Sequence, residues 1–304
     1  MAQHKLLKRL KHHYLHPAGA GWDRLGWRYL YATSKLKARA YDKAFASVQN
    51  YCWFLGYPRS GHTLVGSLLD AHPEIIIAQE LHALKYVDKG FSKNQLFYLC
   101  LKRSEDFTKA GRIWSGYDYN IPNQWNGRFR ELKVIGDKKG GASAGTLMRH
   151  PHLVSKLVET LHMPMRVIHV VRNPYDNITT IKRRAAERLD RLGIDRESMS
   201  IEDAIKMYFK FSKTIQAVKQ EIPSQDMYDL RHEDLIANPQ QTVADLCRFL
   251  GVEPTDDYLT DCASIVYASP NKSRNSFNWT PEQIQIVADE IAKYPFLKGY
   301  TFDS

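Results

Sequence analysis

The chain has 304 residues, and 43 Lys or Arg against 33 Asp or Glu give it a formal charge of +10. That length suits one large core, and no Pro-, Gly- or Ser-rich stretch divides it. The charge suits an acidic ligand such as a nucleotide, and equally nucleic acid or anionic lipid, so it selects no partner by itself. Cys52, Cys100, Cys247 and Cys262 show no paired spacing, which argues against a zinc site or a disulfide framework and fits a reducing cytoplasm.

Residues 1–48 read as a basic helical extension, in which ten Lys or Arg face only Asp23 and Asp42. Lys5 to Lys11, with Leu6, Leu7 and Leu10, has the amphipathy of a membrane-surface or partner-binding helix, and equally of a solvated helix beside a core. No apolar run approaches the roughly 18 residues of a membrane span. Residues 49–304 read as one domain.

An apolar strand is expected from Tyr51 to Tyr57 and a helix from Thr63 to Ala71. Between them, Gly56-Tyr57-Pro58-Arg59-Ser60-Gly61-His62-Thr63 has the frame of a phosphate loop, with His62 where a nucleotide kinase keeps its lysine. Arg59 supplies a planar cation from inside the loop, at a helix N-terminus suited to an anion. A tight turn between buried elements accounts for the same residues. The next strand, Ile75 to Ala78, delivers Glu80 to the sheet edge, where a partly desolvated carboxylate with a raised pKa would suit proton abstraction. A surface glutamate at a helix start is the plainer alternative, and His82 is a rival base.

From Glu80 to Leu132 the chain is rich in aromatics, among them Phe91, Phe97, Tyr98, Trp114, Tyr117, Tyr119, Trp125 and Phe129, which suit a lid, an acceptor wall or core. Val134 and Ile135 then end in Gly136-Asp137-Lys138, a strand entering a glycine-rich loop. Val167 to Val171 reads as a buried parallel strand with His169 in its core, and Arg172 stands at its end. Asn173 caps the following helix, Pro174 opens it, and Thr180 and Arg184 share one of its faces. Ligands of open α/β sheets bind at carboxyl strand ends, so Arg172 and the loop at 56–63 are expected to face one crevice. A strand at 226–230 precedes a turn through His232, and helices follow at 202–221, 239–250 and 281–293, the last capped by Thr280. Lys272 and Arg274 lie in a polar loop. Strands alternating with helices predict an α/β fold, a central parallel sheet flanked by helices.

Together, Pro58-Arg59-Ser60-Gly61-His62-Thr63 and Arg172-Asn173-Pro174 with Thr180 resemble the paired blocks of sulfotransferases that use 3′-phosphoadenosine 5′-phosphosulfate. The likeness runs from about residue 51 to 300. Leu69-Asp70-Ala71-His72-Pro73 and the spacing from Arg59 to Glu80 are similar to the tyrosylprotein sulfotransferase branch. The resemblance implies a P-loop NTPase-like sulfotransferase fold, that nucleotide as donor with adenosine 3′,5′-bisphosphate as product, and no metal. It implies that Arg59, Ser60, Gly61, His62 and Thr63 hold the 5′-phosphosulfate and that Arg172, Thr180 and Arg184 hold the 3′-phosphate. Lys272 or Arg274 would cover that end, Glu80 would be the base, and Lys138 and Arg59 would stabilise transition-state charge. His62 stands where relatives have threonine, so its imidazole or the loop backbone must supply the missing contact, and His232 stands where relatives often have tyrosine. The expected acceptor is a hydroxyl of a small metabolite or glycan. A protein tyrosine, a kinase reaction with ATP, and a non-catalytic basic protein binding nucleic acid or membrane are the alternatives; nucleic acid is not expected, and peripheral membrane contact would fall to the N-terminus.

Overall fold

The computed structural model describes residues 24–191 and 199–304, so the predicted helix at Lys5 to Lys11 lies outside the described residues. Seven strands appear: β1 (Asn50–Gly56), β2 (Ile75–Ala78), β3 (Ile113–Trp114), β4 (Tyr117–Asp118), β5 (Val134–Asp137), β6 (Met165–Val171) and β7 (Met227–Arg231). Five of them form a parallel sheet in the order β2-β5-β1-β6-β7, and β3 with β4 makes a short antiparallel hairpin. Helices cover both faces, as the alternation predicts.

The apolar strand residues divide between two cores with a period of two, because successive side chains leave opposite faces of a sheet. Tyr51, Trp53 and Leu55 join Ile76, Ile135 and Val167 on one face. Cys52 and Phe54 join Ile75, Ile77, Val134 and Ile168 on the other. Tyr51 through Leu55 are wholly buried, and each large side chain contributes on the order of 2 kcal/mol through removal from water. All four cysteines are free and buried.

Every predicted sheet strand is present within about two residues. The expected helices appear as His62–Leu69, Ile201–Glu221, Pro239–Leu250 and Pro281–Ile291, and Pro174 opens Pro174–Arg191. Asn173 Oδ1 accepts from the Tyr175 N–H at 3.0 Å, and Thr280 Oγ1 from the Gln283 N–H at 3.3 Å, so both predicted caps form. The aromatic-rich stretch after Glu80 holds two helices, Ala83–Asp88 and Lys93–Lys109. Phe91, in the connection between them, and Phe97 and Tyr98, on the second, lie in the core, so these three are not acceptor wall. The described part of the predicted extension is also folded: helix Arg24–Ala38 contributes Leu30 and Ala38 to the first core. No helix among the described residues is long and apolar enough to cross a membrane.

Candidate active site

All five sheet strands end on one side, and the chain leaves each of them through residues with chemistry to offer. After β1, Arg59 adopts a left-handed φ of 70° and Gly61 one of 97°. A side chain at 61 would also put Cβ 2.9 Å from His232 Nδ1, so the turn requires glycine. Gly61 is the N-cap of helix His62–Leu69, whose first N–H groups therefore lie in the loop. Ser60 Oγ lies 3.0 Å from the Tyr57 carbonyl and 3.1 Å from His62 Nδ1. His62 Nε2 donates to the Leu55 carbonyl at 3.2 Å, which leaves Nδ1 as the acceptor, and burial holds its pKa at about 3. The imidazole is thus a neutral prop turned beneath the loop. Both ring nitrogens therefore already have partners within the protein.

After β5, Lys138 is buried, and its Nζ donates to Thr63 Oγ1 at 2.8 Å and to Glu80 Oε1 at 3.1 Å. The loop lies this close to the phosphate loop because Gly140 has no side chain: a Cβ there would come 2.3 Å from His62 Nε2. Lys139 Nζ pairs with the other Glu80 oxygen. Burial lowers the Lys138 pKa to about 8, outweighing the attraction of Glu80.

After β2, Glu80 sits in a left-handed turn, φ 58°, that a second carboxylate clamps. Asp137 Oδ1 accepts from the Leu81 N–H at 2.9 Å and Oδ2 from the Ala83 N–H at 2.8 Å. Asp137 was legible only as part of a strand end; its task of fixing this turn was missed, since nothing local in sequence links residues 137 and 81. Burial alone would raise the Glu80 pKa, but Lys138 and Lys139 overcome it and hold it at about 2. The expectation of a raised pKa is therefore corrected: Glu80 is ionised throughout the ordinary pH range. His82 Nε2 lies 3.0 Å from Thr146 Oγ1, and burial with nearby Lys85 and Lys139 lowers its pKa to about 3.

After β6, Arg172 Nη2 donates to the Asn271 carbonyl and, at 3.2 Å, to Ser273 Oγ. Thr180 Oγ1 is 3.1 Å from the same Ser273 Oγ, so Arg172 and Thr180 converge as predicted, around a serine that sequence reasoning passed over. A lone serine without fixed spacing gave no signal. Arg184 Nη1 pairs with Glu187 at 2.5 Å. Arg59 is depressed by partial burial and then by the charge of Arg184, so these cations share one neighbourhood. The Nε atoms of Arg172 and Arg184 are buried without a hydrogen-bond partner among the described residues. Unpaired buried donors in a cationic crevice fit a multiply charged anion.

Arg274 and Lys272, on the polar loop, differ in burial and partners. Arg274 is buried: its N–H donates to Asp176 Oδ1 at 2.8 Å, and its guanidinium meets Asp176 Oδ2 at 3.3 Å and the Ser304 carbonyl. Its charge is matched by Asp176, and it braces the loop that presents Ser273. Lys272 is exposed, with Nζ 3.5 Å from the Asp303 carbonyl. Trp114, by contrast, lies over the site, its ring centroid 6.0 Å from Lys138 Nζ.

The motif at Asp70 is structural. Its carboxylate accepts from the Ile77 N–H, from Ser104 Oγ and, at 2.7 Å, from Arg112 Nη1.

Among solved structures, the chain is similar to the sulfotransferase domain of the Synechococcus PCC 7002 olefin synthase, at 16% identity and a TM-score of 0.49 over 80% of this chain and 94% of that one. It is similar to the sulfotransferase domain from the curacin biosynthetic pathway, at 16% identity and a TM-score of 0.49 over 82% and 99% of the two chains. The sulfotransferase STF9 of Mycobacterium avium follows at 11% identity and a TM-score of 0.48, over 86% and 81%. No curated protein matches the chain. The family model described as Sulfotransferase family matches residues 54–257, from within β1 past the end of helix Pro239–Leu250 and across every strand end described above. The chain belongs to the sulfotransferase family, and it is an enzyme with that family's fold, a central parallel sheet flanked by helices.

Proposed function

We propose that the enzyme moves a sulfuryl group from 3′-phosphoadenosine 5′-phosphosulfate to a hydroxyl of a small metabolite or glycan. The supporting observation is the convergence of two cationic sites at neighbouring strand ends. One is the phosphate loop with Arg59 and Lys138; the other is Arg172 with Thr180 and Ser273. Two anion sites on one crevice suit a nucleotide bearing phosphates at both ends.

The loop N–H groups, Arg59 and Thr63 would hold the 5′ end, and Arg172, Thr180 and Ser273 the 3′ end, with Arg184 between them. The donor supplies an activated sulfuryl group. Glu80 takes the acceptor O–H proton as the acceptor oxygen forms its bond to sulfur. The bond from sulfur to the 5′-phosphate oxygen breaks, and its electron pair stays on that phosphate. Lys138 and Arg59 stabilise the charge gathering on the departing oxygen.

Calorimetric titration with adenosine 3′,5′-bisphosphate, ATP with Mg²⁺, and AMP, on wild type and Arg172→Ala, tests the donor. Metal-independent binding that needs both phosphates and weakens in the variant is expected. Preference for ATP with Mg²⁺ would overturn the reading.

A further inference from the structure

Helix Arg24–Ala38 carries apolar residues on two opposite faces. One face is packed: Leu30, Ser34 and Ala38 are buried, and Trp27 lies edge-on to Tyr86 and Phe91 at 5.6 and 6.1 Å. Across the helix, Leu25, Tyr29, Ala32 and Leu36 recur at intervals of four, three and four residues, the spacing of a single stripe. Leu25 is 71% exposed, Tyr29 59% and Leu36 68%. With Tyr31, this helix holds four of the ten large apolar side chains exposed among the described residues. An amphipathic helix seated on a core should be polar there.

The polar residues beside the stripe have one sign. Arg28, Lys35, Lys37 and Arg39 are exposed, and no Asp or Glu occurs from residue 24 to residue 41. Four side chains along roughly 16 Å of helix are too few for a stable protein interface, which needs about 800 Å² on each partner. A lipid surface has no such threshold, because apolar insertion and attraction to anionic headgroups add. Long cationic side chains also reach outward from beside an inserted stripe. We infer that helix Arg24–Ala38 docks the enzyme on an anionic membrane surface, with Leu25 and Leu36 inserted among the lipids and Arg28, Lys35, Lys37 and Arg39 at the headgroups. Trp27 links it to helix Ala83–Asp88, which starts just after Glu80 and His82, so the docked face lies on the β2 side of the site.

The test is flotation of the full-length protein with phosphatidylcholine vesicles, with and without phosphatidylglycerol. The wild type should float with the anionic vesicles and lose binding as salt rises. Leu25→Asp with Leu36→Asp should reduce the bound fraction at least about ten-fold while the thermal midpoint holds. Arg28→Glu with Lys35→Glu, a pair of exposed positions, should remove the preference for phosphatidylglycerol. Absence of wild-type binding to either vesicle overturns the inference, as it would if the stripe served an acidic protein or a second copy of the chain. So does flotation that survives both variants and is lost only when Lys5, Lys8, Arg9 and Lys11 are neutralised.

Discussion

Glu80 is held between two ammonium groups, and this shapes what its replacement should do. With Lys138 and Lys139 on its two oxygens the carboxylate is ionised, ready to accept a proton but a weaker base than a raised pKa would give. Glu80→Gln should cut turnover by about 10²- to 10⁴-fold, the usual worth of a positioned base. It should also tighten adenosine 3′,5′-bisphosphate binding, since it removes a negative charge beside the cations; near-normal turnover would rule out the assignment. Lys138 gives a pH test. Its cation is complete below about 8 and is lost as pH rises through that value. The kcat/KM for donor should therefore fall through that range in the wild type, and Lys138→Arg, charged at all working pH, should abolish the fall. A limb that persists in the variant would belong to another group. Arg59, Glu80, Lys138, Arg172 and Thr180 could be singled out as candidates because each has a fixed offset within a motif. Ser273 and Asp137 could not, since their roles depend on partners far away in the chain.

At the scale of elements, β1, β2 and β6 were legible because they are buried on both faces and so appear as largely apolar runs, whereas the edge strand β7 is only partly buried. The segment from 80 to 132 was not resolved, because its helices bury aromatic residues that look alike as core or as acceptor wall. The turn between β2 and helix Ala83–Asp88 shows how one element positions another. Asp137, at the end of β5, uses both oxygens to hold the Leu81 and Ala83 N–H groups, and so fixes the left-handed turn that aims Glu80. An amide offers one acceptor oxygen, so Asp137→Asn leaves one of these buried donors unmatched. The expected cost is about 1 to 3 kcal/mol in denaturant unfolding. If the clamp acts on catalysis, kcat should fall while adenosine 3′,5′-bisphosphate affinity stays near wild type. A variant that is destabilised yet turns over normally would show that Glu80 keeps its aim without the clamp.

Across the whole molecule, the elements that carry the site are tied together beneath it by one buried ion pair. Asp70, following helix His62–Leu69, accepts from β2 through the Ile77 N–H, from helix Lys93–Lys109 through Ser104, and from Arg112. Arg112 in turn donates to the Tyr119 carbonyl at 3.2 Å, beside the hairpin that carries Trp114. The pair is 1% and 2% exposed at its side chains. Burial pushes the Asp70 pKa above the ordinary carboxylate range even though Arg112 and the other donors pull against it. Arg112→Met keeps much of the volume and strands the carboxylate, which should cost about 3 to 5 kcal/mol at neutral pH. The sign of its pH dependence follows from linkage. A carboxyl group whose folded pKa exceeds its unfolded value binds an extra proton in the native state, so its cost to folding shrinks as pH falls through the folded value. Losing Arg112 raises that pKa further, so the deficit measured by urea unfolding should be largest at neutral pH and smaller in mild acid. A deficit independent of pH would mean that lost packing, and not the stranded charge, accounts for the instability.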